Sequence, residues 1–229
     1  MNALFPGEKF FTLTSNDFSN PENSTAHSWH GYKLNWQEPV VCTACNNGWM
    51  SVIEKKKAKP VLTDLILGKI NIPITQEMAN DIAAFIFLKA VVLASMTDDC
   101  DTFFPRSERF LFRANGAIPN TVSMYLAGFA PVGRGTAEIL NYGREGTDKV
   151  QLLVCNYGVG RFVAQVVSAR SNGFTGSIKP SVNFDNLAVR FWPKIMPNFI
   201  WPASRVLTNI DELTKFTLRW GLLDFAWKG

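Results

Sequence analysis

Val150-Gln-Leu-Leu-Val-Cys-Asn156 and Phe162-Val-Ala-Gln-Val-Val167 decide the fold class. Both runs are rich in β-branched and other apolar residues, which suit the pleated surface of a sheet. Three further runs of this character are Thr121 to Ala127, Ala137 to Tyr142 and Leu187 to Trp192. Gly143, Gly146, Gly158 and Gly160 punctuate the region. Successive strands with no helical stretch between them predict an antiparallel sheet.

Working outward, residues 75–97 carry the strongest helical pattern. Thr75 suits an N-cap, and Glu77 suits the positive end of the helix dipole. Ile82, Phe85, Ile86, Leu88, Val92, Leu93 and Met96 leave the helix apolar nearly all round. Such a helix is buried on most sides and is expected to form the central core element. Further upstream, a second helix is predicted from about Asn47 to Gly68, with a kink or split at Pro60. Residues 1–41 are polar and turn-rich, with possible short strands at Phe10 to Thr14 and Tyr32 to Trp36. Beyond the sheet, a helix is predicted from Ile210 to Phe216, capped by Thr208 or Asn209. Trp201, Trp220 and Trp227 are expected to dock the tail onto the core. The fold class is therefore α+β. Its expected units are a small ββα-like region over 1–68 and a helix plus antiparallel β-rich body over 69–229, together forming one compact body.

Composition narrows the function classes. The chain has 229 residues, 47% of them hydrophobic and 18% charged, which predicts a folded core rather than a disordered chain. Net charge is +4, which permits a nucleic-acid partner without requiring one. The apolar stretch Ile82 to Met96 is too short to span a bilayer and carries Lys89 in its middle. No basic segment followed by an apolar one opens the chain, so a cytoplasmic protein with no membrane partner is expected. Four cysteines, of which only Cys42 and Cys45 form a spaced motif, fit a reducing compartment.

Cys42-Thr-Ala-Cys45 presents two thiols from a tight turn, a chelate suited to zinc. A redox dithiol or a chance pair are the other readings; the stretch lacks the βαβ setting of a thioredoxin-like site. Zinc takes four ligands, and the chain has two histidines, His27 and His30, both upstream of Cys42. Cys42, Cys45, His27 and His30 make a candidate metal set, or the histidines belong to an exposed loop. Cys100 and Cys155 are expected to be buried apolar thiols.

The run Cys42-Thr-Ala-Cys45-Asn46-Asn47-Gly48-Trp49-Met50-Ser51, followed by Glu54, resembles the second zinc knuckle of a bacterial group of HNH-type, or ββα-metal, nuclease-like proteins. Pro60-Val-Leu62, Lys89 in the buried helix, Phe103-Phe-Pro105 and Ile200-Trp-Pro202 extend the likeness over most of the chain from Val40. The resemblance implies a structural Zn2+ and metal-dependent phosphodiester hydrolysis of DNA with Mg2+ or Mn2+, in phage defence or mobile-element biology. It implies a histidine base, for which His30 or His27 is the candidate, and an oxygen donor at the helix start, for which Asn46 is the candidate unless it is simply an N-cap. Gly48 would allow close backbone approach, and Trp49 would pack under the knuckle. Lys55, Lys56 and Lys57 are candidate phosphate contacts or a solvated face.

The pattern differs in its first half. The family carries an earlier Cys-x-x-Cys and an acidic-His pair, and here no cysteine precedes Cys42 and no acidic residue directly precedes either histidine. The alternatives are a catalytically degenerate binding module, half of a split site completed by a protein partner, or a start upstream of Met1. The sequence leaves oligomeric state open.

Overall fold

The computed structural model describes residues 11–17, 27–31, 40–96, 99–130, 137–146, 150–171, 188–193, 198–202 and 205–218. The expected strand at Tyr32 to Trp36, and Trp220 and Trp227, lie outside them. The fold is α+β, as the patterning predicts.

Among the described residues, seven strands form one sheet: β1 (Phe11–Asp17), β2 (His27–Gly31), β4 (Val122–Gly128), β5 (Ala137–Gly146), β6 (Val150–Gly160), β7 (Phe162–Ser171) and β8 (Ala188–Trp192). Their spatial order is β2-β1-β5-β6-β7-β4-β8. A two-stranded sheet joins β3 (Ile72–Ile74) to β9 (Phe199–Trp201). Six α-helical segments are described beside them: α1 (Thr43–Cys45), α2 (Lys59–Ile66), α3 (Gln76–Ala94), α4 (Cys100–Phe103), α5 (Arg106–Asn115) and α6 (Ile210–Leu218).

The β body is antiparallel at every joint from β5 to β8, as expected. One joint departs from that expectation, because β1 runs parallel to β5. Strands β5 and β6 also run past their expected ends at Tyr142 and Asn156. Gly158 does not stop β6, because it pairs with Ile139 on one side and Val163 on the other. The turn falls instead at Gly160-Arg161, between the paired Val159 and Phe162. Gly160 has φ 60, the left-handed backbone that a two-residue hairpin turn needs at its first position.

Both faces of the sheet centre are covered. Leu153, Cys155 and Tyr157 of β6, with Phe162, Ala164 and Val166 of β7, join the main core with α3. The alternate residue Val163 packs with Leu213 and Phe216 of α6. Burial on both faces explains why these strands read as continuous apolar runs instead of a polar-apolar alternation.

Helix α3 begins where the sequence predicts. Thr75 is its N-cap, and its hydroxyl accepts from the Met78 N–H at 3.2 Å. Ile82, Phe85, Ile86, Leu88 and Leu93 are buried, while Val92 and Met96 are half-buried. Helix α6 follows its prediction too, with the Asn209 side chain accepting from the Glu212 N–H at 2.8 Å.

The helical stretch after the cysteines starts earlier than expected, at Thr43 rather than Asn47. Its middle is π-wound over Asn46–Met50 and Val52–Ala58, with a break in helical dihedrals at Gly48 (φ −91°, ψ −117°). The winding tightens to α-type at Lys59–Ile66, next to Pro60. Proline has no N–H to donate, so a change of hydrogen-bond register there loses little. Below, this whole stretch is called the knuckle helix.

Candidate functional site

Cys42 is the N-cap of the knuckle helix. Its Sγ accepts from the Cys45 N–H at 3.3 Å, and its carbonyl accepts from the Asn46 N–H at 3.0 Å. Asn46 is therefore not the N-cap that one reading of the sequence made it; it lies one turn in, exposed. The Cys45 thiol and N–H hold the Cys42 thiol below the usual cysteine range, and the Arg113 charge adds to the effect. The turn puts the Cys45 N–H against the Cys42 sulfur, so both cysteines stand at one helix end, as a two-sulfur chelate requires. Cys42 is exposed and Cys45 half-buried. No group of three or more His, Cys, Asp or Glu side chains suited to a metal occurs among the described residues. The donor set on hand is thus two sulfurs, which fits half of a tetrahedral zinc site.

His27 and His30 are placed by their backbone on β2, the edge strand, opposite Ser15 and Thr12 of β1. A strand alternates faces with a period of two, so residues three apart belong to opposite faces. The chain order here is hairpin, then knuckle helix, with the hairpin joined to the large sheet through β5.

Gly48 does not serve close approach within the chain, since beyond its chain neighbours and the adjoining helix backbone no described atom lies within 4 Å of where its Cβ would stand. Trp49 packs edge-on against Phe112 at 5.8 Å, Phe112 against Phe87 at 4.8 Å, and Phe87 against Phe104 at 5.3 Å. This aromatic chain ties the knuckle to the core. The indole N–H of Trp49 is enclosed and has no hydrogen-bond partner among the described residues.

Of the three lysines, Lys55 and Lys56 are exposed, and Lys57 forms a loose 3.7 Å ion pair with Asp81. Lys55 also lines a cleft of about 230 Å³ with Lys59, Lys89 and Tyr157. Lys89 is ion-paired with Glu54 and lies 5.3 Å above the Phe85 ring. Two residues that carry the family resemblance, Glu54 and Lys89, are therefore joined in space, although 35 positions separate them.

Sequence reasoning missed a second feature. Arg106, Arg109 and Arg113 of α5 line a cleft of about 240 Å³ whose opposite wall includes Cys45 and Trp49. Spacings of three and four along a helix put them on one face, and this signal was present in the sequence. Cys100 belongs to the same neighbourhood. It is half-buried and accepts from Ser95 Oγ at 3.1 Å and Arg109 Nη1 at 3.0 Å, so it is not the apolar buried thiol expected. Cys155 is buried as expected. No described helix is long and apolar enough to cross a membrane. Comparison of the chain with known protein families, curated proteins and solved structures finds no match.

Proposed function

We propose that this chain is a cytoplasmic HNH-endonuclease-like protein that hydrolyses phosphodiesters of DNA with a divalent metal, in phage defence or mobile-element biology. The observation that carries the reading is the Cys42–Cys45 turn at the head of a helix, with Cys45 lining a cleft together with three arginines. The thiols suit zinc, and the guanidiniums suit phosphate. The hairpin-then-helix order agrees with a ββα unit.

In this reading Cys42 and Cys45 hold structural zinc, joined by whichever histidine of β2 lies on the facing side. The other needs of the reaction are a base for water and charge beside the phosphate. His30 or His27 is the base, Asn46 offers an amide oxygen, and Lys55, Lys56 and Lys57 contact flanking phosphates. Bound Mg2+ or Mn2+ would supply charge at the scissile phosphate.

The test combines elemental analysis with plasmid cleavage. One equivalent of zinc is expected, lost in Cys42→Ser/Cys45→Ser, along with cleavage that a His27→Ala/His30→Ala variant abolishes. A chain that cleaves nothing under any divalent metal is not the proposed hydrolase.

A second reading is half of a split site, or a non-catalytic binding module. The exposure of Cys42, with two sulfurs as the described donors, favours it, since a partner chain would reach them. It expects about one equivalent of zinc or none on the isolated chain, and no cleavage. Metal-dependent cleavage of DNA by the isolated monomer overturns it.

A further inference from the structure

The arginine cleft is more specific in its chemistry than a general positive surface. Its three guanidiniums are not equally committed. Arg109 is engaged within the chain, with Asp101 at 2.6 Å, the Phe104 carbonyl at 2.8 Å and the Cys100 sulfur. Arg106 is exposed and lies 5.3 Å from the Phe110 ring centre; Arg113 is exposed. Neither has a carboxylate partner among the described residues, and no aspartate or glutamate lines the cleft. Between them the interior is apolar, formed by Leu88 and Val92 of α3 and by Trp49.

These properties discriminate among ligands. A simple inorganic anion has no use for the apolar interior, and an apolar molecule leaves two guanidiniums unanswered. The seven steps from Arg106 to Arg113 correspond to a rise of roughly 10 Å along α5. That separation is wide for one phosphate and suits two phosphates of a strand, given the reach of arginine side chains. A base between them would enter the apolar interior. Positive rims with aromatic walls are the recurring chemistry of single-strand binding.

We infer that the cleft between α5 and the knuckle helix binds a segment of single-stranded nucleic acid, with phosphates on Arg106 and Arg113 and one unstacked base inside. The inference goes beyond hydrolysis, for it needs neither a histidine nor a metal. Its test can therefore be run without added Mg2+ or Mn2+ and without chelator, so that hydrolysis is not supported and any zinc at Cys42 and Cys45 stays in place.

The probe is a fluorescein-labelled 12-nucleotide DNA strand of mixed sequence, read by anisotropy against salt with no Mg2+ or Mn2+ added. Competitors are its duplex, an abasic strand of equal length, a deoxynucleoside monophosphate and inorganic phosphate. The single strand is expected to compete at least tenfold better than each of the four. Arg106→Gln/Arg113→Gln is expected to weaken binding at least tenfold. It should also flatten the slope of log K against log salt by about 1.4, since each phosphate on a single strand contributes roughly 0.7. Both arginines are exposed, and circular dichroism checks that the variant folds. Equal binding by wild type and a folded variant overturns the inference. So does an abasic strand that binds as well as the mixed one, or a mononucleotide that binds as tightly as the strand. Should the variant not fold, the competitor ranking decides the matter on the wild-type chain.

Discussion

Cys42 and Cys155 show how position alone sets a thiol's chemistry. Cys42 caps a helix in solvent, and its neighbours in the knuckle hold its thiol below the usual range. Cys155 faces α3 from β6, and burial, with a contribution from Asp99, pushes its thiol far above that range. Only the thiolate is a nucleophile. In metal-free protein at neutral pH iodoacetamide should therefore label Cys42 well before Cys155, which should react only once the chain unfolds. Peptide mass spectrometry over a time course checks the order, and early labelling of Cys155 would contradict it. Asp81 gives a prediction with the opposite kind of sign. Burial raises its carboxyl above the usual value, and the ion pair with half-exposed Lys57 only partly offsets this. A raised acid pKa means that folding is disfavoured while the group is ionised in both states. That penalty is present above the raised pKa and disappears below the unfolded carboxylate range. Asp81→Asn should therefore be at least as stable as wild type at pH 7, and any gain should vanish on acidification. Thermal melts at the two pH values test this; a clear loss at pH 7 would show that the Lys57 pair outweighs burial. All three residues are visible in the sequence, but their ionisation is not, because it depends on what surrounds each one.

At the scale of elements, the ends of helices were legible where local side chains set them. Thr75 and Asn209 are N-caps because a short side chain three positions upstream can reach a free N–H. Asn209→Ala should cost about 1 kcal/mol. Its effect should appear in hydrogen exchange as earlier opening of α6 than of α3. The end of the knuckle helix is set by longer-range contacts. Gly68 follows α2 with φ +78, and a Cβ there would stand 2.7 Å from Cγ of Arg161. The Arg161 N–H in turn donates to the Ile66 carbonyl at 2.9 Å, so the helix end rests on the β6–β7 turn. Gly68→Ala should cost about 1–2 kcal/mol from the left-handed backbone alone, and more if Arg161 has to move. Urea unfolding measures it, and a neutral result would mean that this contact between helix and hairpin is dispensable. Pro60 marked a change in the helix, as its missing N–H implies. The π winding before it had no signature in periodicity, because an apolar stripe does not separate π from α turns over one or two turns.

At the scale of the molecule, a buried amide pair holds α6 against the sheet. Gln165 Nε2 donates to Asn156 Oδ1 at 2.8 Å and to the Phe216 carbonyl at 3.1 Å, while Asn156 Nδ2 donates to the Thr217 carbonyl at 3.2 Å. These carbonyls end a helix, where no intrahelical partner remains. Gln165→Leu would keep the shape and remove the donor, leaving buried carbonyls with fewer partners. It should cost about 1–3 kcal/mol. Calorimetry gives the magnitude, and exchange rates should show α6 released before the β6–β7 hairpin; an unchanged melting temperature would remove this pair from the account of the fold. Gln165 and Asn156 sit inside apolar runs and gave no sign of this role in the sequence. The sequence by itself determined the runs that became β4 to β8, the span and cap of α3, and the Cys42–Cys45 turn. Each of these follows from residue preference and hydrogen bonds within a few positions. Only the tertiary structure decided that β1 lies parallel to β5, that Glu54 meets Lys89, and that the arginines of α5 share a cleft with the knuckle. Those pairings join segments far apart in the chain, and they are selected by which faces can be buried together, a property no local stretch of sequence carries.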